Sequence, residues 1–176
     1  MTRPTGALPG AGRGPGGLVP APRRADADRL RVVRAQGLVV RGAGRAELLG
    51  FPTADVPAAA LAVRGGALRD GFWAGTAQVD PAGGGPVHVA CVSVGAPVCG
   101  PGGGRVLEAH LLDADVDLVG RSLLVALHLP LRPQRVFGGA GELAAQLERD
   151  VAATRRWALG AGLGGLLGGS VEVLGG

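Results

Sequence analysis

Lysine and tyrosine are missing from this chain of 176 residues: all 18 of its basic side chains are arginine, and its aromatics are three Phe and two Trp. Without lysine there is no Gly-Lys-Ser/Thr phosphate loop of the Walker type. So few aromatic rings also exclude the stacking platforms on which single-stranded nucleic acids are bound. The two cysteines, Cys91 and Cys99, do not form a metal-binding spacing. His88, His110 and His128 are isolated, each on a strand-like run, and read as solvated or hydrogen-bonded rather than as ligands. No apolar run reaches the roughly 18 residues that a bilayer span requires. The opening stretch MTRPTGALPGAGRG lacks the apolar centre of a signal peptide. A cytoplasmic protein without a membrane partner is the expectation.

Glycine and proline, by contrast, are abundant at 34 and 13 residues, and they crowd both ends. Residues 1–28 are expected to be disordered, 29–159 to form one domain, and 160–176 to be a flexible tail. The net charge is +4 and the isoelectric point about 10.8. The arginines are scattered, however, so a barrel that binds polyanions in a salt-dependent way is the weaker reading, and no nucleic-acid partner is expected.

The dominant signal in the middle of the chain is period two. In SLLVALHLPL, Leu123, Val125, Leu127, Leu129 and Leu131 fall on one face of a strand. RVVRAQGLVV, FWAGTAQVD, VHVACVSV and RVLEAHLLD read in the same way, each bounded by Gly, Pro or Asp. Five or more such strands with no helix between them predict an antiparallel barrel or sandwich. Near the end, Leu143, Leu147 and Val151 recur at helical spacing, so one amphipathic helix should pack on the sheet.

Chemistry is concentrated in two places. In LLGFPTADVP, proline removes a donor and pushes Phe51 towards extended geometry. If the segment is extended, Thr53 and Asp55 face one spot, a pair of hard oxygen ligands suited to Mg²⁺. Gly42, Gly44 and Gly50 precede it, and glycines let a backbone approach phosphates closely. In VLEAHLLD, Glu108 shares a face with Val106, His110 and Leu112. It is either a carboxylate facing apolar surroundings, and so a candidate base, or one member of a solvated surface pair.

These stretches occur in a recognisable order. LLGFPTADVP, DGFWAGTAQVD, VHVACVSVG, VLEAHLLDADVDLVG and LPLRPQRVFGGAGELAAQLERDV together resemble the riboflavin kinase family, including the kinase module of bacterial bifunctional flavokinase/FAD synthetases. The similarity runs from about Arg31 to Trp157. It implies a mainly β fold, a six-stranded antiparallel Greek-key barrel with a C-terminal helix. The implied activity transfers the γ-phosphate of ATP to the ribityl 5′-hydroxyl of riboflavin, giving FMN, with Mg²⁺ as cofactor and riboflavin and ATP as partners of a monomer.

By the same resemblance Thr53 and Asp55 would hold the metal, and Gly42, Gly44, Gly50, Pro52, Thr53 and Asp55 the nucleotide phosphates. Glu108 would be the base, and Arg132 would lie on the flavin side. The chain departs from the family pattern at Asp55, where an asparagine is usual, and at Ala46-Glu47, where many members have Gly-Arg. Ala96 to Cys99 replace a polar Thr-Asn-Pro-Thr-Phe loop, and Trp73 and Val119 replace tyrosines. A catalytically impaired flavin- or nucleotide-binding module of the same fold is the alternative these departures raise. The adenylyltransferase domain of bifunctional members has no counterpart in the residues before the barrel, so FAD synthesis is not expected.

Overall fold

The computed structural model describes residues 32–42, 46–96 and 104–168. Seven strands, β1 (Val33–Leu38), β2 (Ala54–Pro57), β3 (Ala62–Arg64), β4 (Gly71–Val79), β5 (Val87–Gly95), β6 (Val106–Leu111) and β7 (Ser122–Arg132), precede one helix, α1 (Ala140–Gly160). They form one antiparallel sheet in the order β2-β6-β5-β4-β7-β1-β3. The sheet curls until Val40, just past β1, bridges Asp55 of β2, the backbone N–H of Val40 donating to the Asp55 carbonyl at 2.8 Å. The six expected strands make this ring. The seventh, β3, is three exposed residues paired to the outside of β1.

Curling gives the sheet an inner and an outer face, and side-chain alternation sorts the residues between them. Ala35, Val56, Ala77, Val92, Val94, Leu107, Ala109, Leu123, Val125 and Leu127 fill the inside, each no more than 2 % exposed. On the outer face Phe72, Val89 and Cys91 form a second core with Leu143, Leu147 and Ala158 of α1. The helix is held by a stripe at 143, 147, 150, 154 and 158, of which Asp150 and Thr154 are polar.

Strand β7 departs from simple alternation. Leu123, Val125 and Leu127 point inward as expected, but the register against β4 shifts twice, between Ala74 and Gly75 and again between Phe72 and Trp73. Each shift inserts an unpaired residue into β7, and one inserted residue reverses the facing of the residues beyond it. Leu129, paired with Ala74, therefore leaves the inner face, and Leu131 joins the second core. His128, the other inserted residue, lies 5.1 Å from the Trp157 ring of α1, centroid to centroid. Both inserted side chains serve the helix.

Past α1, the segment expected to be flexible from residue 160 is packed as far as 168. Leu163, Leu166 and Leu167 lie against the second core, and the Gly168 N–H donates to Asp113 at 3.1 Å. Asp113 also receives two bonds from Arg155, at 2.7 and 2.6 Å. Three leucines in a glycine-rich context are enough to anchor the return, because each buries against an existing apolar face. The expected disorder of 1–28, most of the Ala96 to Cys99 loop, and residues 169–176 lie outside the described residues.

Candidate functional site

Three of the site residues read from the sequence, Asp55, Glu108 and Arg132, lie along a single row across the outer face. Asp55 on β2 is opposite Glu108 on β6, Glu108 is opposite Ser93 on β5, Ser93 is opposite Phe72 on β4, and Phe72 is opposite Arg132 on β7. Directly opposed residues of antiparallel strands project from the same face with Cβ atoms about 4.5–5.5 Å apart. Five strands thus bring together three residues that the sequence separates by up to 77 positions, from Asp55 to Arg132.

At one end of the row the Thr53 hydroxyl donates to Oδ1 of Asp55 at 3.1 Å, so the two oxygens do face one spot. Burial pushes the Asp55 carboxyl above its ordinary value, and the Thr53 hydrogen bond acts against that. Gly42 packs on this carboxylate so closely that a β-carbon there would overlap it. Gly50 adopts a left-handed φ of 86° and caps the short 3₁₀ turn Glu47–Leu49 that delivers Phe51 and Pro52. His110 secures the delivery. Its Nδ1 donates to the Pro52 carbonyl at 2.8 Å, and its ring meets Phe51 edge-on, the centroids 5.6 Å apart. No role for His110 was evident from its strand, although its alternation with Glu108 was a usable signal. Gly44 lies outside the described residues.

Glu108 is 8 % exposed, which excludes the solvated surface pair. It lines a small cavity of about 30 Å³ with Phe51, Thr53, Phe72, Ser93 and Leu147 among its walls. A second, larger cleft of about 630 Å³ opens on the other side, lined by Gly42, Glu47, Thr53, Asp55 and the loop from Ala114 to Val119. Thr53 lines both spaces, with Asp55 in one and Glu108 in the other.

At the far end of the row Arg132 is tied inward. Its Nε reaches both Asp150 oxygens at 3.0 and 2.9 Å, Nη2 reaches Oδ2 at 2.6 Å, and Nη1 donates to the Pro133 carbonyl at 3.2 Å. The guanidinium lies 3.6 Å over the Phe72 ring. Arg132 therefore fastens α1 over the Glu108 cavity. Apolar periodicity does not reveal Asp150, because it is the charged member of the buried helical stripe. A carboxylate at that position, three residues after Leu147 and four before Thr154, was the signal that a basic partner lay beneath.

Among the described residues no group of three or more His, Cys, Asp or Glu could hold a metal. A cage made only of protein is therefore absent there, but Mg²⁺ commonly takes one or two protein oxygens and completes its shell with phosphate and water. Thr53 and Asp55 fit that mode. The larger cleft presents Glu47, Asp55, Asp115 and Asp117 against Arg41, so a polyphosphate entering it needs cationic charge from elsewhere.

Comparisons with known proteins bear on the family and the fold. Residues 30–158 match the model of the Flavokinase family, described as riboflavin kinase. The bifunctional riboflavin kinase/FMN adenylyltransferase of Escherichia coli strain K12 is 33 % identical over 122 residues, covering 69 % of this chain and 36 % of that protein. The protein of the same description from Pseudomonas fluorescens is 37 % identical over 131 residues, covering 73 % of this chain and 40 % of its own length. The chain thus spans well under half the length of these relatives. Among solved structures, that of a macrolide-efflux protein from Streptococcus pneumoniae superposes with a TM-score of 0.57 at 25 % identity, over 70 % of this chain and 38 % of that one. With the family model matched across the whole ring of strands and the helix that covers it, this chain belongs to the riboflavin kinase family.

Proposed function

We propose that this chain phosphorylates riboflavin at its ribityl 5′-hydroxyl, with ATP as donor, giving FMN and ADP. The observation that carries the proposal is the position of Thr53. It is the shared wall between a polar cleft large enough for a nucleotide, about 630 Å³, and the cavity that holds Glu108. A phosphoryl transfer needs donor and acceptor on either side of one short gap, and little covalent chemistry beyond positioning and charge neutralisation.

The donor side is the cleft. Its Gly42 backbone, the Gly50 turn and Pro52 shape the approach for the phosphates, and Thr53 and Asp55 would hold Mg²⁺. Bound there, the metal would neutralise phosphate charge in a cleft that is otherwise acidic. Asp55 in place of the asparagine usual in the family supplies a full negative charge to that cation, which offsets part of its repulsion of the phosphates.

The acceptor side is the Glu108 cavity. There Glu108 accepts the proton of the 5′-hydroxyl as the oxygen bonds to the γ-phosphorus and the β–γ bridging oxygen leaves with ADP. Arg132 acts on the flavin side through α1, which it holds by Asp150 while lying over Phe72. The cavity is closed down to about 30 Å³ by side chains that include Phe51, Leu147 and Val151, so admission of riboflavin requires these to move apart. Such closure also keeps water, a competing acceptor, from the γ-phosphate.

Purified protein should convert riboflavin to FMN with Mg-ATP, followed by chromatography, and Glu108→Gln should abolish the conversion while leaving the melting temperature within a few degrees. Absence of FMN from the wild-type protein, with riboflavin or ADP still raising its melting temperature, would make the chain a binding module instead.

A further inference from the structure

Glu108 has a neighbour whose chemistry the proposed reaction does not use. We propose that Gln134 and Ser93 form a hydrogen-bonded relay that sets the Glu108 carboxylate in place, Ser93 donating its hydroxyl proton to it. The inference rests on the reading of Glu108 as the base.

Ser93 is 5 % exposed, lines the same cavity as Glu108, and is its directly opposed partner across β5 and β6. The Gln134 side-chain nitrogen lies 3.0 Å from the Val94 carbonyl oxygen and 3.1 Å from Ser93 Oγ. A carbonyl can only accept, so the group against Val94 is the NH₂ end of the amide, and its second hydrogen is directed at Ser93. Ser93 Oγ is therefore the acceptor in that contact. Its own proton is left to be donated elsewhere.

The row across the sheet limits where that proton can go. On one side of Ser93 stands Phe72, which offers no side-chain acceptor, and on the other stands Glu108. A hydroxyl that already accepts a hydrogen bond is polarised to donate a stronger one, and a carboxylate is the strongest acceptor available. A carboxylate held by Ser93 is fixed in orientation towards the substrate hydroxyl. Ser93 and Gln134 are positioning residues in this scheme, acting on substrate only through Glu108.

The backbone has been shaped to admit Gln134. Gly95, at the end of β5, has φ of 139°, and a β-carbon there would come within 2.8 Å of the Gln134 side-chain nitrogen. Any other residue at 95 would crowd the amide out of its seat.

The test is kinetic and crystallographic. Ser93→Ala should lower kcat about tenfold, the worth of one hydrogen bond to a charged group, while each KM stays within about twofold and the fold is retained. Ser93→Thr, which keeps the hydroxyl, should recover most of the rate, and Gln134→Ala should fall between the two. A crystal structure of the wild-type protein should place Ser93 Oγ about 2.5–3.0 Å from a Glu108 oxygen. Wild-type kcat in Ser93→Ala, with Glu108→Gln inactive, would overturn the relay and leave the kinase reading standing. A Ser93 hydroxyl turned to a different acceptor would overturn it as well. If the wild-type protein forms no FMN, the proposed function fails, and the crystallographic distance alone decides whether the relay exists.

Discussion

Replacing Asp150 by alanine would leave Arg132 charged, buried and without its partner. The two side chains are 13 % and 5 % exposed, and three contacts of 2.6 to 3.0 Å join them, with Gln146 adding a fourth to Asp150 at 2.9 Å. An exposed ion pair is worth roughly 0.2–1 kcal/mol. Removing one member of a buried pair costs about 3–5 kcal/mol, because the remaining charge loses its compensation but not its desolvation. At about 2–4 °C per kcal/mol for a protein of this size, Asp150→Ala should melt roughly 6–20 °C below the wild type. The double substitution Arg132→Met with Asp150→Leu removes both charges and keeps apolar volume, and should recover most of that loss. Arg135→Ala, which removes a pair whose side chains are 44 % and 50 % exposed, serves as the surface control and should shift stability by less than about 1 kcal/mol. Thermal and urea unfolding followed by circular dichroism measure all three. The reasoning is refuted if Asp150→Ala is no worse than the surface control, or if the double variant is at least as unstable as the single one.

Three further outcomes are expected. Gly42→Ala should drive its methyl group into the Asp55 carboxylate and raise the KM for Mg-ATP at least about tenfold with the melting temperature little changed, measured by initial rates; displacement of a binding group by about 1 Å commonly costs more than that. Burial holds His88, His110 and His128 below their ordinary value of 6.5, aided at His128 by Arg34. The unfolded chain therefore binds more protons than the folded one just below pH 6.5, so stability should be full above that pH and decline as pH falls through it, in denaturant titrations across pH. Burial pushes the Cys91 thiol up to about 12, so peptide-resolved mass spectrometry should find it untouched by iodoacetamide near neutral pH and fully alkylated after unfolding.

The legible part of the fold was the part written in short-range alternation. The strands around Val33, Gly71, Val87, Val106 and Ser122 announce themselves by period two, and the Thr53–Asp55 contact follows from the same rule applied to three residues. Glu108 could not be assigned to the solvent or the cavity from its strand alone. Its burial depends on Phe51 and on Leu147 of α1, which arrive from distant parts of the chain. Asp150 carried the signal of a carboxylate in an apolar stripe but not the identity of its partner, and Gln134 carried none: both acquire their meaning only when Arg132 and Ser93 are opposite them. Strand β3 is three residues long and exposed, too short for alternation to register. The leucines of 163–167 were outvoted by the glycines around them, although a ready apolar surface needed only a few of them.

Strand β7 counts in twos. Its inserted residues at 128 and 131 each reverse the facing of the residues beyond them, and two reversals cancel, so Arg132 returns to the side it would have occupied had neither been present. A single deletion or insertion between Leu127 and Arg132 would leave the ladder pairable yet turn the guanidinium into the barrel, away from Asp150. Among descendants of this sequence, length changes in that stretch should therefore be found in even numbers or not at all.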